Sequence, residues 1–124
     1  MESASNKFND QFRARSKSLA MSICRWVEEL PKKESVCYLK GQIIRSGTSV
    51  AANFRAACRS RSPQEYYSKL CIVVEECYEI LFWLEFIEET FSLRNERIKL
   101  LQKEATELLA VFSTTKRKLK EKYK

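Results

Sequence analysis

Apolar residues recur in steps of three and four along nearly the whole chain, which is the spacing of one helix face. Phe8, Phe12, Leu19, Ile23, Trp26 and Leu30 predict a first helix over about 5–30, stopped by Pro31 in the polar connection LPKKES. Val36, Leu39, Ile43, Gly47, Val50, Phe54 and Ala57 predict a second helix over about 35–59. In Ser62-Pro63-Gln64-Glu65 a capping serine, a proline at the first helical position and a glutamate three residues on mark a third start, and that helix runs to about Glu89. A fourth begins near Asn95, carries Ile98, Leu101, Ala105, Leu108 and Phe112, and ends near Leu119. The last residues, KRKLKEKYK, are expected to fray. Short connections between four such helices predict an all-α fold, an antiparallel up-down-up-down four-helix bundle. It forms one domain over 1–124, with 116–124 as a basic extension.

Two helices carry more than a single stripe. Beside the apolar seam of the second, Gln42, Ser46, Ser49 and Asn53 align at helical spacing as a small hydrogen-bonding seam. Its amides are expected to meet Glu75, Glu76 or Glu79, with Asn53 and a glutamate as the leading pair. Gly47, at a core position, predicts close approach of another helix backbone. In the third helix Tyr67, Leu70, Val74, Cys77, Leu81 and Leu84 make one seam, while Ile72, Trp83 and Phe86 fall on the opposite side among Glu75, Glu76 and Glu79. One bundle core cannot bury both sides. These six residues therefore predict an oligomer interface, with Arg45 of the second helix as the arginine that joins it.

Charge sharpens the division. The 124 residues carry a net charge of +7, from 23 Lys or Arg against 16 Asp or Glu. Residues 1–61 hold twelve basic against five acidic side chains, residues 62–92 one against seven, and residues 93–124 ten against four. An acidic, two-faced helix is thus set among basic ones. Arg13, Arg15 and Lys17 near the start, Arg55 and Arg59 on the side of the second helix away from its seam with Arg61 beyond them, and Lys116, Arg117, Lys118 and Lys120 in the tail are candidate phosphate contacts. For the arginines of the second helix a solvated face, or salt bridges to a neighbouring subunit, is the competing reading. Five cysteines without a CxxC pair are expected as small apolar residues of a reduced core. With no histidine, no Gly-rich phosphate loop and no nucleophile elbow, the chain calls for neither an enzyme nor a cofactor. No segment is apolar enough to span a membrane or to serve as a secretory signal, so a cytoplasmic protein is expected.

The stretches RSKSLAMSI, LPKK and GQIIRSGTSVAANFRAACRSRSPQEYYSKLCIVVEECYEILFWLEFI carry a resemblance. Gln42, Arg45-Ser46, Thr48-Ser49-Val50, Asn53, Arg61-Ser62 and the Glu75-Glu76 pair before Trp83 are its most specific pieces. From about Arg15 to Ile87 the chain resembles a bacterial four-helix bundle family. That family includes proteins encoded in intervening sequences of large-subunit ribosomal RNA genes and the accessory variability determinant (Avd) proteins of diversity-generating retroelements. The resemblance implies a homopentameric ring with a basic surface that binds RNA or DNA, and, in retroelement members, a reverse transcriptase as partner. A protein adapter ring with no nucleic-acid role is the alternative.

Overall fold

The computed structural model describes residues 4–122, with side chains from residue 6 onward. Four helices fill it: α1 (Ala4–Val27), α2 (Glu34–Ala57), α3 (Pro63–Thr90) and α4 (Glu96–Lys122). Each packs against its neighbour in sequence and α4 closes against α1, while the diagonal pairs meet only through side chains, as where Phe54 of α2 lies against Phe112 of α4. This is the up-down-up-down bundle that the stripes predict.

The helix ends follow local chemistry. After α1, the amides of Glu29 and Leu30 bond back to the carbonyls of Trp26 and Val27, so a tight turn carries the chain on to Leu30. Ser62 Oγ accepts from the Glu65 amide at 3.1 Å, with Pro63 at the first helical position. Asn95 Oδ1 does the same for the Ile98 amide at 2.9 Å and starts α4. The α3–α4 turn places Ser92 at φ 50°, and the Leu93 amide reaches the Glu88 carbonyl at 3.0 Å. That is a Schellman closure with serine where glycine is usual. The expected fraying does not occur within the described residues, since α4 continues to Lys122; Tyr123 and Lys124 lie outside them. Alternating lysines and the half-buried Leu119, packed on the core edge, extend the helix by one more turn.

At one end of the core Phe8, Phe12, Phe54 and Phe112 interlock with ring centroids 4.7–6.3 Å apart. Trp26 is buried towards the other end. A Cβ on Gly47 would lie 2.9 Å from Ile23 Cδ1 and 3.8 Å from the Ala20 backbone, so the approaching helix is α1.

Three expectations need correction. The buried apolar face of α3 is Leu70, Val73, Val74, Cys77, Ile80, Leu84 and Ile87: Leu70, Val74, Cys77 and Leu84 of the predicted seam are buried, but the helix is turned slightly towards Val73, Ile80 and Ile87, which leaves Tyr67 and Leu81 at the margins. With apolar residues on both sides, the helical period alone does not fix the phase. Trp83 does not stand opposite the core but packs half-buried on its edge, while Ile72 and Phe86 are exposed as expected. Finally, only Cys77 is a core thiol; Cys24, Cys58 and Cys71 are half-buried and Cys37 is exposed.

Candidate nucleic-acid interface

The outer surface where α1 meets α2, with the turn that follows it, gathers Arg13, Lys17, Arg55, Arg59 and Arg61, half of the predicted cationic residues. Arg13, Lys17 and Arg25 project from α1 and Arg55 from α2 around a groove of about 530 Å³ whose remaining lining includes Ala20, Met21, Cys24, Thr48, Ala51 and Ala52. Through Ala52 and Arg55 it runs into a second depression bounded by Arg59, Arg61 and Glu65. Lys17, Arg25, Arg55, Arg59 and Arg61 form no salt bridge among the described residues, and Arg13 pairs with Asp10. Helical spacing explains the assembly. Residues 13, 17, 21 and 24 share a face of α1, residues 48, 52 and 55 share a face of α2, and Arg59 follows in the turn just past its end. Arg25 was absent from the predicted set, although its position two turns beyond Lys17 was the available signal.

Arg15 is different. Its guanidinium donates to both Glu104 carboxylate oxygens and to Glu107 Oε2 at 2.9 Å, and it stands 5.2 Å from the Phe12 ring centroid. The hydrogen bond to Glu104, opposed by partial burial and reinforced by Glu107, raises its pKa. Arg15 thus ties α1 to α4, and its N–H groups are already committed to carboxylates instead of being free to donate to phosphate. The expectation missed this because Glu104 and Glu107 are remote in sequence.

Lys116, Arg117, Lys118 and Lys120 follow on the last turns of α4. Lys118 lines a third cavity, with Phe8, Ser60, Ser62 and Tyr66, at the same bundle end as Arg59 and Arg61. The charge is therefore polarised along the bundle. Residues 7–17, 55–69 and 116–122, which meet at that end, hold thirteen basic against three acidic side chains. Residues 25–34 and 85–99, at the opposite end, hold six against seven.

On the α2–α3 side, Arg45 Nη1 is 3.1 Å from Glu76 Oε2 and Nη2 is 2.9 Å from Glu79 Oε1. Arg45 and its two glutamates, predicted as interface groups between subunits, are satisfied within one chain. Glu76 is only 9% exposed, because it borders Val73, Cys77 and Ile80 on the buried face. Burial raises its pKa, the neighbouring Glu79 adds to that, and Arg45 opposes it. Glu75 remains exposed. In the polar seam Ser46 is buried and Gln42, Ser49 and Asn53 are half-buried. Asn53 Nδ2 donates to the Ser49 carbonyl at 2.9 Å and to Ser49 Oγ at 3.0 Å, so its partner is its own helix and not an α3 glutamate. An amide one turn after a serine satisfies itself locally before it can reach a neighbouring helix.

The outward side of α3 carries Ile72, Tyr78, Phe82 and Phe86, all exposed, with Tyr78 at 60% and Phe82 at 54%. Phe82, Trp83 and Phe86 form an aromatic cluster with centroids 4.9–6.1 Å apart. Tyr78 and Phe82 were missed with the phase of the helix. Among the described residues no helix is long and apolar enough to cross a membrane.

The comparisons with known proteins agree with this architecture. A crystal structure of a protein of unknown function from the S23 ribosomal protein family of Bacteroides thetaiotaomicron superposes with a TM-score of 0.76 at 27% identity, covering 83% of this chain and 95% of that one. No curated protein matches. The family model described as 23S rRNA-intervening sequence protein matches residues 9–114, which spans all four helices, and the chain therefore belongs to that family.

Proposed function

We propose that this protein is a non-catalytic accessory protein of the cytoplasm that works as a basic homo-oligomer and binds nucleic acid through phosphates, with little sequence preference. The observation that supports it is the cationic face of α1 and α2, where Lys17, Arg25, Arg55, Arg59 and Arg61 have no salt bridge among the described residues. Repulsion among such groups is relieved when they neutralise phosphates, and the cations condensed on the nucleic acid are released. RNA and DNA both supply that polyanion. The exposed aromatic stripe of α3 gives the assembly its contact surface, and the family resemblance makes a ring of five the expected form. In such a ring the charge of every chain adds to one field. A reverse transcriptase working on the bound strand is the protein partner that the retroelement resemblance suggests. A scaffold ring without nucleic acid is the second reading, favoured by the same aromatic stripe, which a protein partner could cover.

A salt titration against unrelated RNA and DNA oligonucleotides separates the two. Nucleic-acid binding predicts an affinity that falls steeply with salt, each phosphate contact adding roughly 0.7–0.9 to the log–log slope. Absence of binding at low salt, or binding indifferent to salt, would leave the scaffold reading.

A further inference from the structure

The α1–α2 groove has a floor as well as walls, and the floor is apolar. Ala20, Met21, Ala51 and Ala52 form it, while Lys17 and Arg25 stand on one side and Arg55 on the other. No carboxylate lines the groove. A cationic surface serving a duplex alone has no need of such a floor. Paired bases turn their faces inward, and a duplex resting on the two walls would leave Met21 and the alanines uncovered. An unpaired strand presents both chemistries together: phosphates for the walls, and flat apolar base faces for the floor.

We propose, building on the nucleic-acid reading above, that this groove is a seat for single-stranded nucleic acid. Phosphates lie against Lys17, Arg25 and Arg55, and bases turn down onto Met21 and the alanine methyl groups. The volume of about 530 Å³ holds a short stretch of strand at a time. Small side chains let the backbone approach closely, and the flexible thioether of Met21 adapts to whichever base arrives. The groove contains no aromatic ring, so it lacks the stacking platform of many single-strand binders. Discrimination among bases is therefore weak. RNA and DNA strands share the recognised chemistry.

The test irradiates the full-length protein with single-stranded RNA bearing thiouridine, or DNA bearing thiothymidine, and maps the crosslinked peptides by mass spectrometry. Crosslinks should fall in the Met21–Cys24 stretch of α1 for both sugars or for one of them, which names the preferred source. A duplex of the same sequence should compete at least about tenfold less well. Changing Lys17 and Arg55 together to alanine should lower the single-strand salt slope by about 1.4, at roughly 0.7 per phosphate contact. Salt-dependent binding with crosslinks confined to the α4 tail, or a duplex that competes equally, would overturn the single-strand seat and leave the nucleic-acid reading in place. Failure of both strand forms to bind at low salt would instead remove that reading itself.

Discussion

Two arginines that look alike in the sequence have opposite fates in the fold. Arg15 is held by Glu104 and Glu107, whereas Arg55 forms no salt bridge among the described residues. Nothing near either residue in the chain distinguishes them, because the deciding carboxylates sit about ninety positions away. Arg15→Ala should therefore cost stability, about 1 kcal/mol by denaturant unfolding, since it leaves Glu104 and Glu107 facing each other without their counter-charge. It should leave the affinity for RNA nearly unchanged. A variant of normal stability with weakened RNA binding would return Arg15 to the interface. Glu76 carries a pH signature. Its folded pKa is raised, chiefly by burial, so the folded state holds its proton more tightly than the unfolded chain does. The stabilisation that follows is complete below the unfolded value and is lost as pH rises through the folded one. Glu76→Gln keeps a hydrogen-bonding side chain without the charge. Its stability relative to the unaltered protein should thus improve as pH climbs from below the carboxylate range to neutrality, as measured by urea unfolding across that range. A difference independent of pH would contradict the assignment.

At the level of helices, the sequence was most readable where punctuation is chemical. Pro31, the Ser62-Pro63 start and Asn95 put the boundaries within a few residues of those observed. It was least readable in α3, where apolar residues on two sides admit two phases one residue apart, Leu81 or Ile80. Contact with α2 and α4 decides between them, and that contact is tertiary. The same rotation moved Trp83 to the core edge and exposed Phe82. Phe82→Glu should therefore reduce assembly without loss of helical circular dichroism, because the side chain is 54% exposed. Light scattering that finds the variant as assembled as the parent would show that this stripe is not the contact. At the α3–α4 turn Ser92 occupies a left-handed conformation, which costs an L-residue roughly 1–2 kcal/mol. Ser92→Gly removes that strain at some cost in chain entropy, and should raise stability by about 0.5–1 kcal/mol. A lowered melting temperature would mean that the Ser92 side chain contributes more than its backbone costs.

For the molecule as a whole, the net charge of +7 is plain in the composition, but its placement is not. Antiparallel packing brings the start of α1, the end of α2 and the end of α4 to one end of the bundle, which gathers most of the positive charge there, and the glutamates closing α3 meet the start of α4 at the other. Reading the helices in order yields this polarity only once the up-down topology is fixed. On the function proposed, a located face and not net charge holds nucleic acid. Two triple charge reversals of equal size, compared against one RNA oligonucleotide at fixed low salt, distinguish the two. The first changes Lys17, Arg55 and Arg59 to glutamate on the α1–α2 face; the second changes Lys32, Lys33 and Lys103, exposed positions away from it. The first should lose at least about tenfold in affinity relative to the second, about 1.4 kcal/mol, while both remain folded. Equal losses in the two variants would contradict it.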